Sequence, residues 1–230
     1  MACEFLANMV SLLLSAKEDL ENYDYRIKLK ATEGMLVRNL ARENDFGTGL
    51  LRRVPTLLDF IRASGAALVV DGRVESLGQT PSDEQIVALT DWLSDNMRQE
   101  VFAADSLSSL IPEAESYTGV TSGVLALRFS KAKNDFVLWF RPEQIQTVNW
   151  AGDPDKPVDI SDDGQRLMPR TSFALWKETV RHKSEPCLEM EVKAVSELRT
   201  AILELILRNT EEMGRLYGSI ATSMQRAAKD

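Results

Sequence analysis

Cysteine, histidine and long apolar runs are scarce in this 230-residue sequence, and each shortage excludes something. The two cysteines, Cys3 and Cys187, stand too far apart to suggest a disulfide framework or a metal-ligand spacing. The lone histidine, His182, has no second histidine for a metal pair and sits in no recognisable Ser-His-Asp arrangement, and it is expected to face solvent. The apolar run MVSLLLSA within Phe5 to Ala16 is too short to span a bilayer and follows Glu4 rather than a basic region. Basic residues are outnumbered 27 to 35 and dispersed, giving a net charge of -8. Contact with nucleic-acid phosphates needs clustered positive charge, so that class is excluded. Glycines such as Gly119, Gly123 and Gly164 are scattered rather than gathered into a phosphate-cradling loop. The expectation is a cytoplasmic, non-enzymatic module of a reducing compartment, without metal, membrane or nucleic acid. Its length allows one domain with helical extensions.

One stretch resembles no ordinary core element. From Trp150 to Pro186 the chain first carries Gly152, Pro154, Pro157 and Gly164 among five aspartates, which is loop chemistry. From Ser172 it reads SFALWKETVRHK. Phe173, Trp176 and Val180 then form a helical stripe with Ser172 as N-cap. At period two the same residues put Ala174, Trp176, Glu178 and Val180 on one face and Phe173, Leu175, Lys177 and Thr179 on the other, as in a strand. Both readings stand. So long an excursion between regular elements is commonly functional or disordered.

The remaining elements follow from periodicity. Residues 2 to about 43 predict a helix with a seam at Leu6, Leu13, Leu20 and Ile27 and at Met9, Ala16 and Tyr23. At about 1.5 Å per residue it extends roughly 60 Å and should protrude. A short helix is expected after Pro55, then β-type runs Ala66 to Val70 and Arg73 to Leu77 around the hairpin signal Asp71-Gly72. Ser82 with Gln85 has capping-box spacing, and Ile86, Leu89 and Leu93 line one face of the helix that follows. Strands are expected near Val101 to Phe102, at Gly123 to Phe129, at Asp135 to Phe140 and at Gln144 to Trp150, with a short helix at Leu107 to Ile111. The sum is an α+β fold: a five- or six-stranded, mainly antiparallel sheet with helices covering one face. After Pro186 a last helix carries heptads at Val192, Arg199, Ile206, Met213 and Ile220 and at Val195, Ile202, Asn209 and Leu216. Leu198, Leu203 and Leu205 widen its first half, which should pack on the sheet.

Several motifs occur in one order: Trp139-Phe140-Arg141-Pro142-Glu143, then Trp150-Ala151-Gly152-Asp153-Pro154, then Pro169-Arg170-Thr171-Ser172-Phe173. With LSAKEDLENYDYRIKLK, LKATEGMLVRNL, GAALVVDGRVESLGQTPSDEQI and VSELRTAILELIL, they resemble the PHY domain of phytochromes over nearly the whole chain. Cys187 departs from the tryptophan that family often has there. The resemblance implies a GAF/PAS-like sheet and a division into 1-43, a connecting helix from an absent GAF domain; 44-190, the PHY domain with a tongue at 150-186; and 191-230, an output and dimerisation helix. It implies that the tongue seals the bilin pocket of that GAF domain, so that this piece of a longer receptor carries no chromophore itself. It further implies that Trp150, Gly152, Pro169, Arg170, Ser172, Phe173 and Trp176 contact the pocket region. In that family's pattern Arg170 pairs with a GAF aspartate in one photostate and Ser172 replaces it in the other. Neither cysteine lies in a bilin-attachment motif, and Cys3 is expected to be buried. Val195 to Thr200 echoes the H-E-L-R-T box of histidine kinases with Ser196 at the phosphoacceptor position, and reads as ordinary helix. A small-molecule-binding GAF-like domain and a plain dimerisation scaffold are the alternatives.

Overall fold

The computed structural model describes residues 2–43, 45–151 and 175–227. Helix α1 runs Ala2–Arg42, a π-type turn spans Thr48–Arg52, and the one-turn helix α2 is Leu57–Phe60. Strands β1 (Gly65–Val70) and β2 (Arg73–Gly78) form the expected hairpin. Both central residues of its turn have positive φ, 48° at Asp71 and 76° at Gly72. That is the twist-matching two-residue turn, and Gly72 supplies it without a Cβ clash. Helix α3 (Asp83–Asn96) begins with the predicted box: the Gln85 amide donates to Ser82 Oγ at 3.3 Å and the Ser82 amide to Gln85 Oε1 at 3.0 Å. Strand β3 is Val101–Ala104, two 3-10 turns cover Leu107–Ser109 and Pro112–Tyr117, and β4 (Gly123–Ser130) and β5 (Asp135–Arg141) follow. Strands β6 (Gln146–Ala151) and β7 (Leu175–Val180) precede the long helix α4, Glu189–Ala227.

The five strands of the main sheet lie in the order β2-β1-β5-β4-β3, all neighbours antiparallel. This is the α+β architecture expected, with two corrections. First, helices cover both faces, not one. On one face Leu68, Leu125, Leu127, Val137 and Trp139 pack against α1, α2 and α4, with Leu29, Leu36, Leu57, Val195 and Leu198 among the partners. On the other, Val69, Ala126, Phe136, Leu138 and Phe140 pack against Ile86, Leu89 and Leu93 of α3 and against Leu107. The reason is legible in β5: every residue from Asp135 to Arg141 is buried, a continuous run rather than an alternation. Second, β6 does not join this sheet as a further strand. It pairs with β7 in a separate two-stranded ribbon.

Trp139 anchors the first face. It is fully buried, and its indole N–H donates to the Leu57 carbonyl at 2.9 Å, so its one polar atom is satisfied. In α1 the stripe facing the domain is Tyr25, Leu29, Leu36 and Leu40. The predicted seam lies elsewhere: Leu6, Leu13, Leu20 and Ile27 are all more than half exposed. In α4, Val195, Leu198 and Ile202 are buried and Asn209 is exposed, so its first half packs on the sheet as expected. No helix among the described residues is long and apolar enough to cross a membrane.

Candidate functional site

Between the end of β5 and the start of α4 the chain leaves the domain, forms the β6–β7 ribbon and returns. The ribbon runs antiparallel from Gln146 opposite Val180 to Ala151 opposite Leu175, which places Trp150 opposite Trp176. For Leu175 to Val180 the strand reading therefore holds, because β6 offers a backbone edge that completes the hydrogen bonding of β7. Gly152, Pro169, Arg170, Ser172 and Phe173 lie outside the described residues, as do Pro154, Pro157 and Gly164.

Below the ribbon the returning segment is held residue by residue. The His182 amide donates to Glu143 Oε1 at 2.5 Å, with His182 at φ 60°. The Gln144 amide donates to the Lys183 carbonyl at 2.7 Å, and the Ser184 amide to the Asp105 carbonyl at 2.8 Å. Ser184 is buried against Gly123, where an added Cβ would sit 1.9 Å from Ser184 Oγ. Glycine at the start of β4 is what admits this close approach. Contrary to expectation, His182 is half-buried rather than solvent-facing, because its backbone is drawn in by Glu143.

Next to this foot lies a buried polar cluster. Arg141 Nη1 donates to the carbonyls of Glu185 at 3.2 Å and Pro186 at 2.8 Å, and Nη2 to Glu191 Oε2 at 2.7 Å. Glu191 Oε2 also accepts the Leu188 amide at 2.8 Å, capping the first turn of α4. Its Oε1 accepts the Tyr25 hydroxyl at 2.7 Å. The two charged side chains are 5% and 0% exposed. Burial, then the hydrogen bond to Glu191, pushes the Tyr25 phenol well above its ordinary value, so it remains a donor. The Arg62 guanidinium, stacked 4.5 Å over the Tyr25 ring, acts in the opposite direction. Burial also pushes the Cys187 thiol up, which makes it a poor nucleophile. Cys3, expected to be buried, is exposed, because the first half of α1 projects away from the domain. Ser196 is exposed on α4.

The arrangement ties together four segments: the end of β5, the returning carbonyls, the first turn of α4, and α1. Arg141 was visible in the sequence only as part of a motif, and Tyr25 and Glu191 not at all as partners. The signal for Glu191 was its place in the first turn after a proline, where a carboxylate caps amides.

A family model described as the phytochrome region, PHY, matches residues 29–211. The chain is 43% identical over 225 residues to cyanobacterial phytochrome B of Nostoc sp., covering 97% of this chain and 30% of that protein. It is 31% identical over 211 residues to a phytochrome of Picea abies, covering 91% of this chain and 18% of that protein. The photosensory core module of Stigmatella aurantiaca phytochrome superposes with a TM-score of 0.68 at 45% identity, covering 90% of this chain and 41% of that one. The chain thus spans less than a third of the curated relatives' length.

Proposed function

This chain belongs to the phytochrome family as its PHY region, and on that premise we propose that residues 150–186 are a tongue that seals the bilin pocket of a preceding GAF domain and relays the photostate to α4. The observation that carries the reading is the separate β6–β7 ribbon, whose strands pair with each other and not with the main sheet. A ribbon that leaves the domain at Arg141 and returns to Glu191 has the connectivity such a relay needs. In the proposed site Arg170 pairs with a carboxylate of the GAF pocket in one photostate and Ser172 takes its place in the other, while the tongue exchanges hairpin for helix. A buried bidentate guanidinium–carboxylate contact contributes far more than an exposed pair, so its loss can bias two nearly balanced folds. In this reading Trp150, Phe173 and Trp176 supply apolar surface that changes partners, and Gly152 and Pro169 belong to the same pocket-contact region. The bilin belongs to the GAF domain of the parent receptor, a cytoplasmic homodimer joined through its long helices. The exposed Leu6, Leu13, Leu20 and Ile27 of α1 supply an apolar stripe for such a contact. Both faces of the sheet are already filled by Trp139, Phe136, Phe140 and the helices over them, which favours relay over small-molecule binding.

In the bilin-loaded receptor, Arg170→Ala should shorten the lifetime of the light-activated form or bleach it. Arg170→Lys should rescue only in part, since an ammonium cannot reproduce the planar fork. Difference spectra under red and far-red light measure both. Equal photoproduct yield and lifetime in all three proteins would remove Arg170 from the mechanism.

A further inference from the structure

A relay through the tongue needs a taut connection to α4, and the returning segment has no regular structure of its own between Val180 and Glu189. Left free, such a segment would absorb any change in tongue length. It is not free. The backbone of His182 is held by the Glu143 carboxylate, and those of Lys183 and Ser184 by the backbones of Gln144 and Asp105. Glu185 and Pro186 are both held by Arg141. The same guanidinium reaches Glu191 in the first turn of α4, and Glu191 reaches Tyr25 of α1.

We propose that Arg141, Glu191 and Tyr25 form the joint that converts a change in tongue length into displacement of α4 against α1; this deepens the relay reading and rests on it. The geometry supports a positioning role rather than simple stabilisation. A buried ion pair is costly to desolvate, and well-packed apolar side chains of similar volume serve stability as well or better. What the ion pair adds is direction: the planar Arg141 fork aligns the end of β5, the returning carbonyls and the α4 cap at once. Tyr25 adds the second helix at the same carboxylate, and outside it Lys30, on the next turn of α1, pairs with Glu33 of its own helix and with Glu197 of α4. A shift of the tongue foot therefore acts on the α1–α4 contact directly.

The test uses the full receptor with its bilin, compared in dark and light by three readouts: the difference spectrum, the amide infrared change of the tongue, and amide exchange along α4 from Val195 to Ile206. In the unmodified receptor, light should change α4 exchange by about tenfold, within the roughly 5–150-fold range of typical coupling between sites. Arg141→Lys, which keeps the charge but not the fork, should preserve spectrum and infrared change while removing most of the α4 response. The combined Arg141→Met, Glu191→Met, Tyr25→Phe variant removes both buried charges together, so it should stay folded, and it should show the same separation. An α4 response retained in these variants overturns the joint and leaves the relay intact. An infrared change lost in them places the cluster in tongue refolding itself and also overturns the joint. No α4 response in the unmodified receptor overturns the relay and the joint with it.

Discussion

The Arg141–Glu191 pair can be weighed in this chain alone. Glu191→Met leaves the guanidinium, 5% exposed, without its countercharge, and Arg141→Met leaves the fully buried carboxylate likewise. Breaking a buried pair from one side costs about 3–5 kcal/mol. For a chain of this size that corresponds to a midpoint lowered by about 6–20 °C, at roughly 2–4 °C per kcal/mol. Removing both charges avoids that penalty, but it would orphan the Tyr25 hydroxyl, whose acceptor is Glu191. Tyr25→Phe is therefore included with Arg141→Met and Glu191→Met. The Leu188 amide then loses its side-chain acceptor and the Glu185 and Pro186 carbonyls their donor; both of the latter residues are exposed, so water can replace it, and the triple variant should fall within about 2 kcal/mol of the unmodified chain. Urea unfolding followed by tryptophan fluorescence gives the three free energies. A triple variant as unstable as the two single ones added together would show that the charges act independently, and the coupled reading of the cluster would be wrong.

Tyr25 also predicts a pH effect. Its folded phenol is raised above the unfolded value of about 10, so its contribution is complete below pH 10 and is lost as pH rises above it. The stability difference between the unmodified chain and Tyr25→Phe should shrink through that window; a constant difference to the highest measurable pH would contradict it. At the foot of the β6–β7 ribbon, Gly123→Ala drives a Cβ into Ser184 and should cost about 1–3 kcal/mol. Adding Ser184→Gly should recover much of the loss, and urea midpoints decide whether it does. In α4, one residue inserted near Asn209 turns the downstream face by about 100°, while seven nearly restore it. If the proposed relay operates, light-driven output of the parent receptor should disappear with the first and return with the second, and an output indifferent to both would reduce the helix to a tether.

Local patterns in the sequence determined the elements whose causes are local. Asp71-Gly72 specified its turn because the two positive φ values are a property of those residues. Ser82 and Gln85 specified the start of α3 because both capping partners lie within one turn. The motifs around Arg170 were readable as a family resemblance, although Arg170 itself lies outside the described residues. Tertiary structure alone decided what depends on a distant partner. Leu175 to Val180 satisfies helical and strand periods equally, and only pairing with Gln146 to Ala151 selects the strand. The heptads of α1 marked an apolar stripe but not its side. Tyr25 and Leu29 face the domain while Ile27 does not, because the sheet and α4 fix the rotation of the helix. Glu191 stands in the first turn of α4, where any carboxylate can cap free amides. It is buried because folding brings Tyr25 and Arg141, 166 and 50 residues away, onto its two oxygens, and no spacing within the sequence encodes a contact that three separate elements must assemble.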